Sequence, residues 1–286
     1  MAKDTAPPCP SCGTPIADRF CPACGEKALG PHDLTLGHYL HELVHGFTHA
    51  DGKLWNSLRA ITLRPGELSL AYMQGRRTAY MRPVPLFLVL NLIYFLFPAF
   101  ETFNTGLHSQ LNFQPYSAWA MERMDRIIAA ANATPERFEL LYSLKSASNA
   151  KLMLIVMVFL LAPIIGLVNW KRPPQAAGHV TFAFELMIFN LLWTTILFGL
   201  LMYLIGSIFG WLHYDGRWLF DDLFFSGVAV SLNLWFLVKA GRRYQRRTWI
   251  GSAWRAVAVV IGLFWALTVY RFLLFGLTSW QVEHAL

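Results

Sequence analysis

Charged residues are scarce in this chain of 286 residues. Asp, Glu, Lys and Arg make up 14% of it and hydrophobic residues 55%, whereas soluble domains carry about 25% charged residues. This composition argues against an ordinary soluble domain and favours an integral membrane protein. The net charge of +7 does not favour nucleic-acid binding, because the basic excess lies beside the apolar runs, where membrane topology requires it.

Several catalytic signatures are also absent from the sequence. It contains no P-loop, no dinucleotide-binding fingerprint, no HExxH motif and no Ser-His-Asp cluster. These absences favour a non-enzymatic role over an enzyme. The first residues lack the apolar core of about 7–15 residues that a cleavable signal peptide has, so we expect the first apolar run to act as its own insertion signal.

Five apolar segments approach or reach the roughly 20 residues that a helix needs to cross a bilayer. They cover residues 84–100, 152–168, 182–209, 223–238 and 256–280. We therefore predict an all-α integral membrane protein with about five transmembrane helices in residues 84–286. Residues 101–151, between the first two spans, should form a helical loop outside the membrane.

The basic residues are concentrated in every second connection between the predicted spans, and this alternation predicts how the spans are oriented. Residues 1–83 hold nine Lys or Arg against seven Asp or Glu, and residues 239–255 hold six Arg or Lys and no acid. The charges on the two faces total +10 and −3. By the positive-inside rule, the amino terminus lies in the cytoplasm and the carboxyl terminus outside.

The four cysteines of the chain all lie in its first 24 residues. Cys9, Cys12, Cys21 and Cys24 form the pattern C-x2-C-x8-C-x2-C, with a glycine after each pair. Such pairs turn two thiolates toward one metal, and a cytoplasmic location keeps thiols reduced, which favours zinc over a redox pair or disulfides. Iron remains an alternative. We predict a zinc ribbon in residues 1–30 with about one structural Zn per chain.

Residues 31–83 read as amphipathic helices at the membrane surface, because apolar residues recur there at steps of three and four. Four histidines fall on the polar side of the first helix: His38, His41, His45 and His49. They form either a weak second metal site or a neutral polar face, and we favour the polar face.

Arginines and tyrosines follow shortly before the first span. Arg76, Arg77 and Arg82 are candidates for contact with a lipid or phosphate group, because arginine pairs with anionic headgroups at the membrane surface. The alternative, which we favour, is that they anchor the chain topologically.

Two ionisable residues lie within the predicted spans, where a buried charge is costly and marks a candidate functional site. Glu185 is near the cytoplasmic end of the third span and Arg271 is in the outer half of the fifth. We expect structural pairing rather than transport chemistry, with Arg271 reaching Asp221 or Asp222 or snorkelling to the surface. Three asparagines should form hydrogen bonds between helices: Asn91, Asn190 and Asn233.

The order of these elements resembles a known family. The cysteine segment CPSCG…FCPACGEK precedes FTHADGKLWNSLRAITLRPGELSLAYMQGRRTAYMRP, which combines an RPG turn with a G-[KR]-R-x-x-Y segment before the membrane entry. This pattern is similar to the bacterial family catalogued as domain of unknown function 3667, over roughly residues 9–100. The resemblance implies a bacterial inner-membrane protein and brings no activity or catalytic residues.

We therefore expect a non-enzymatic scaffold, sensor or regulator whose zinc ribbon docks a cytoplasmic protein partner at the lipid bilayer. One alternative is a lipid or small-solute transporter that uses Arg76, Arg77, Glu185 and Arg271. Another is a membrane enzyme that acts on lipid headgroups through the histidine face. A homo-oligomer is compatible with each of these functions.

Overall fold

The structure of the protein is a computed structural model. It describes residues 7–16, 19–26, 52–96, 103–169, 176–212 and 222–286, apart from the side chain of Asp222. Most of the chain within these ranges is helical, and these ranges contain no strand. In the cysteine segment, Pro8 and Pro15 form an antiparallel bridge. The all-α prediction is confirmed for this part of the chain.

Eleven α-helices and one π-helical segment make up the described fold. In chain order the helices are α1 (Lys53–Leu63), α2 (Glu67–Met73), α3 (Pro83–Leu96), α4 (Leu107–Asn112), α5 (Ser117–Ala131), α6 (Pro135–Leu152), α7 (Leu154–Val168), α8 (Ala176–Phe189), α9 (Phe198–Leu212), α10 (Asp222–Arg243) and α11 (Trp249–Glu283). The π-helical segment Asn190–Leu197 joins α8 to α9.

Three of the described helices are long and apolar enough to cross a membrane. They are Ala176–Leu212, which has 37 residues and combines α8, the π-helical segment and α9, then Leu223–Arg243 with 21 residues and Trp249–Glu283 with 35 residues. Helices α6 and α7 together qualify as a fourth span that is bent by 51°. Three to four spans are thus supported by length and composition, as expected for a membrane protein.

The predicted count of five spans stays a prediction. Helix α3, which corresponds to the first predicted span, is apolar but has 14 residues in the described part of the chain. Residues 97–100, which complete that predicted span, lie outside the described residues. Helix α7, the second predicted span, has 15 residues and reaches a crossing length only with α6.

Helix α8 lies at the centre of the helix assembly. It packs against α2, α3 and α7, while α11 packs against α6, α7 and α10. Every residue from 181 to 190 is buried, because neighbouring helices surround this stretch. A second, smaller apolar cluster joins α5 and α6 to the end of α11.

The three asparagines predicted to connect helices all do so. Asn190 and Asn233 each donate a side-chain hydrogen bond to the other at 2.9 Å, which joins the π-helical segment to α10. Asn91 on α3 donates to the backbone oxygen of Lys151 on α6 at 3.1 Å. Amide side chains are suited to such contacts because each offers both donors and an acceptor in an apolar setting.

Candidate metal centre and its attachment to the helices

The sulfur atoms of the four cysteines converge on one point. All four Sγ atoms lie within 4.8 Å of one another, with 3.5 Å between Cys9 and Cys24 and 3.5 Å between Cys12 and Cys21. A tetrahedral site with metal–sulfur bonds of about 2.3 Å places its sulfurs about 3.8 Å apart, whereas disulfide sulfurs are bonded at about 2.05 Å. The four thiols therefore fit a tetrahedral metal ion, and zinc as its identity stays a prediction.

Both cysteine pairs are turned by the same backbone geometry. The amide of Gly13 donates to the oxygen of Cys9 at 2.8 Å, and the amide of Gly25 donates to that of Cys21 at 2.9 Å. The two glycines have φ angles of 80° and 72°, which glycine adopts without steric cost. The glycine after each pair thus lets the chain reverse, so that both thiols of the pair face the same point.

The four thiols differ in their access to solvent. Cys9 and Cys21 are buried, whereas Cys12 is exposed. The Thr14 hydroxyl lies 3.3 Å from Cys12 Sγ, and this hydrogen bond, together with that of the Thr14 backbone, lowers the pKa of the Cys12 thiol to about 6. The pKa of the Cys24 thiol is shifted the opposite way, to about 12: the Glu26 backbone lowers it, but burial and hydrogen bonds with the other three thiols outweigh that effect. The thiols therefore differ in how readily they form the thiolate that a metal binds.

Glu26 connects the cysteine cluster to the rest of the protein, a role that the sequence did not indicate. Its backbone oxygen accepts a hydrogen bond from the Cys21 amide at 2.7 Å, so it closes the second cysteine turn. Its Oε2 accepts four hydrogen bonds, from Ser11 Oγ at 2.7 Å, from Arg77 N at 2.8 Å, and from Thr78 N and Oγ1 at 3.0 Å each. One residue therefore belongs to both the candidate metal site and its attachment.

The Glu26 carboxyl is held in its charged form. Burial alone would raise its pKa, but the hydrogen bonds from Ser11, Thr78 and Arg77 outweigh burial and keep the pKa below its usual value. A carboxylate that accepts several donors is stabilised relative to the neutral acid. We refer to residues 7–16 and 19–26, which include this carboxylate, as the cysteine head.

The segment that receives Glu26 spans residues 64–82, which we call the strap. It contains the turn after α1, the short helix α2 and the approach to α3. Near its start, Gly66 N donates to Oε1 of Glu185 at 2.8 Å and Ser69 N donates to Oε2 at 2.8 Å, while the Ser69 hydroxyl also donates to Oε2. Amides at a helix start have no partner within the helix, so Glu185 of α8 caps α2 from a different element.

Gly66 occupies the tightest point of the strap. Its φ angle is 83°, and a Cβ atom there would lie 3.0 Å from Ala240 Cα and 3.1 Å from Tyr244 Cβ. Tyr244 is itself fixed, because its ring stacks on Phe182 at 5.5 Å and its hydroxyl donates to the Gly178 oxygen at 3.2 Å. Glycine is therefore required both by the backbone conformation and by the close approach of α10.

Glu185 is fully buried, with both carboxylate oxygens occupied by donors of the strap. The sequence singled it out because an acid in an apolar span is costly. Its contacts here are those of a residue that joins two elements, and a role in transport stays an untested prediction.

The cations of the strap also make contacts within the protein. Arg76 Nη2 lies 3.1 Å from Glu67 Oε1, and the second oxygen of Glu67 lies 3.9 Å from Arg243 Nε. The guanidinium of Arg77 lies 4.7 Å from the centre of the Tyr72 ring, an arrangement in which the cation is attracted to the ring face. These contacts hold α2 and the end of α10 together.

Lipid or phosphate contact by Arg76, Arg77 and Arg82 stays a prediction. Arg76 and Arg77 are engaged as described, and Arg82 is half-buried just before α3. Each guanidinium has several donors, so these contacts leave room for an external acceptor as well.

Arg271 lies far along α11, beside the second apolar cluster. Its guanidinium is close to the hydroxyls of Tyr116 and Tyr270, and among the described residues its Nε meets no acceptor. Of the expected partners, Asp221 and the side chain of Asp222 lie outside the described part. The predicted pairing of Arg271 with these acids therefore stays a prediction.

The predicted histidine face also lies outside the described residues. It comprises His38, His41, His45 and His49. A second metal site or a polar face at these positions stays a prediction.

The fold and the site together define an all-helical protein of membrane type with a four-cysteine cluster suited to a metal ion. A family model described as "Protein of unknown function (DUF3667)" matches residues 51–95, and the resemblance drawn from the sequence is confirmed over this stretch. The match includes α1, α2 and the whole strap, whereas the cysteine head and Glu185 lie outside it. No curated protein and no solved structure matches the chain.

Proposed function

We propose that this protein is a non-enzymatic membrane scaffold or sensor in which metal binding by the cysteine head controls the strap. The observation that carries the proposal is the double role of Glu26. Its backbone closes a cysteine turn, and its carboxylate binds the amides of Arg77 and Thr78. The position of the metal-binding turn and the position of the carboxylate are therefore linked.

The small core of the head makes this link dependent on metal. The buried apolar residues of the head are Cys9, Ile16 and Cys21, with Cys24 packed against them. A core of this size does not offset the conformational entropy of the chain. A bound metal ion would join the four thiolates and supply the folding free energy of the head.

When the head loses its fold, Glu26 loses the geometry that reaches the strap. Arg77 and Thr78 then present free amides and a hydroxyl, and a cytoplasmic protein partner can bind either the released strap or the folded head. The apolar helices serve as the fixed support, since the other end of the strap is bound to Glu185 in the core.

We also propose a bacterial inner-membrane location, about five spans, a cytoplasmic head and an external carboxyl terminus. The family resemblance supports the first of these, and the charges of +10 and −3 on the two predicted faces support the orientation. A transporter has less support, because the oxygens of Glu185 are occupied by the strap. A membrane enzyme would depend on histidines outside the described residues.

Amide hydrogen exchange tests the proposal directly. The full chain, purified in detergent with about one zinc per chain, is compared before and after a chelator removes the metal. We expect faster exchange at Arg77 and Thr78, which Glu26 protects, and unchanged exchange at Gly66 and Ser69, which Glu185 protects. The Cys21→Ser variant should contain no zinc and should exchange like the chelated protein.

Glu26→Gln is the matched control for this experiment. It keeps the cysteines and one side-chain acceptor but removes the charge, so Arg77 and Thr78 should exchange faster even with zinc bound. Among variants that still bind zinc, fast exchange that does not change with metal removal is expected only for Glu26→Gln. If metal removal left Arg77 and Thr78 of the natural sequence protected, or if the purified protein contained no metal, the proposal would be wrong.

A further inference from the structure

An open cleft lies between α1 and the end of the strap. Its volume is about 300 Å³, at the lower end of the range of about 300–1,000 Å³ for small-molecule sites. Four polar side chains line it: Asn56, Arg59, Arg64 and Tyr80. Leu63 and two alanines complete the lining, so the described residues of the cleft include two cations and no acid.

Arg59 and Arg64 of the cleft differ from Arg76 and Arg77 in their contacts. Within the described part of the chain, the guanidinium groups of Arg59 and Arg64 make no ion pair or hydrogen bond, and both residues are exposed. Arg76, by contrast, is paired with Glu67 at 3.1 Å. Two guanidinium groups that face one cleft without a carboxylate repel each other, and a bound anion would relieve that repulsion.

The chemistry of the lining selects a particular kind of anion. Arg59, Arg64, the Asn56 amide and the Tyr80 hydroxyl all offer hydrogen-bond donors. Guanidinium groups match the oxygen spacing of phosphate and form charge-assisted hydrogen bonds with it. We infer that this cleft binds an anionic phosphate group, carried by a lipid headgroup or free in solution. The inference does not depend on the proposed role of the metal.

The surroundings of the cleft favour a lipid headgroup as the source. Trp55 precedes Arg59 by four residues, which places both on one face of α1, and its side chain is 71% exposed. Leu63, at the rim of the cleft, is 62% exposed. Exposed aromatic and aliphatic side chains beside arginines are typical of helices in the headgroup layer.

Ligand-dependent thermal unfolding of the full chain in a non-ionic detergent tests this inference. One arm adds inorganic phosphate at constant ionic strength, and a second adds dihexanoyl phosphatidic acid, with dihexanoyl phosphatidylcholine as the zwitterionic comparison. The variant Arg59→Gln/Arg64→Gln removes both cations. The matched control Arg126→Gln/Arg137→Gln removes two exposed arginines from α5 and α6.

We expect Tm to rise in a saturable way and the half-saturating concentration to increase about tenfold for each cleft arginine removed. The control variant should respond like the natural sequence. Saturable stabilisation by phosphatidic acid alone assigns the site to a lipid headgroup, and stabilisation by inorganic phosphate as well assigns it to the phosphate group from either source. An equal response of the two double variants, or no saturable response in either arm, would overturn the inference.

Discussion

A glutamate holds each end of the strap. The two glutamates accept hydrogen bonds from the same kinds of donor group, but they lie in different surroundings. Glu185 accepts the amide and hydroxyl of Ser69, and Glu26 accepts the amide and hydroxyl of Thr78, each with a further backbone amide. Glu185 is set in the helical core, whereas Glu26 is set in a head with few buried apolar residues. The stability of each carboxylate contact should therefore follow that of the structure that presents it. This structure is a packed helical core at one end and, in the function proposed above, a metal-bound head at the other.

The largest effect should come from Glu185→Leu. The substitution leaves the amides of Gly66 and Ser69 buried without an acceptor, and each unsatisfied group costs about 1–3 kcal/mol. We expect the free energy of unfolding to fall by about 3–5 kcal/mol, measured by denaturant unfolding in micelles. Glu26→Leu should leave this unfolding transition unchanged, and an equal loss in both variants would contradict the proposed difference between the two ends.

A second test exchanges glycine for alanine at both ends. Gly66→Ala should lower the free energy of unfolding by about 2–4 kcal/mol, because it combines backbone strain with a clash against Ala240. At Gly13 the φ angle is similar, 80°, but no atom lies within 4 Å of an added Cβ. Gly13→Ala should therefore weaken metal binding by the cysteines and leave the unfolding of the helices unaffected, as checked by titration with zinc and by denaturant unfolding.

The two hydroxyls offer a closer comparison with a smaller effect. Ser69→Ala should lower the free energy of unfolding by about 1–2 kcal/mol, because it removes a buried hydrogen bond to the Glu185 carboxyl group. Thr78→Ala should change it by less than about 0.5 kcal/mol, since it loosens only the head. Its effect should appear instead as faster amide exchange at Arg77 and Thr78. Similar destabilisation by both substitutions would show that the head and the helices unfold together.

A smaller loss than that of Ser69→Ala is expected at a contact just before the strap. Trp193 donates its indole N–H to the Thr62 hydroxyl at 3.2 Å, which joins α1 to the π-helical segment. Trp193→Phe should lower the free energy of unfolding by about 0.5–1 kcal/mol. Thr62→Val and the double variant complete a thermodynamic cycle, whose coupling energy should be of similar size. A coupling energy near zero would leave Glu185 as the principal anchor of this region.

Much of the local structure could be predicted from the sequence. The cysteine spacing and the glycines at 13 and 25 indicated the metal-binding turns, because ligand spacing and φ angles are local properties. Thr134 followed by Pro135 is a typical helix start, with an N-cap residue and a proline at the first helical position. Helix α6 begins there, and the Thr134 hydroxyl accepts from the Arg137 amide at 3.3 Å. Asparagines within apolar runs correctly indicated bonds between helices, since few other partners exist there.

The attachment of the head could not be predicted in the same way. Glu26 and Thr78 are 52 residues apart, and Glu185 and Ser69 are 116 residues apart. Both carboxylates bind backbone amides, which every residue other than proline carries and which therefore leave no signature in the sequence. Glu185 was recognised as costly to bury, but the pattern contained no information about which segment would stabilise it. The number of spans could not be predicted for a similar reason, because the hydropathy of the sequence contains no information about the bend of 51° between α6 and α7.

The helix Ala176–Leu212 changes its surroundings completely along its length. Residues 181–190 are buried without interruption, whereas in α9 Met202 is the single buried residue. Between them, the wider turns of the π-helical segment rotate the faces of the second half relative to the first. We expect sequence variation to differ in the same way. Residues 181–190 should tolerate few substitutions because every face of the helix contacts a neighbour, whereas α9 need only remain apolar. The protein can thus adapt to a thicker bilayer or a new neighbour through α9 without altering the site that anchors the strap.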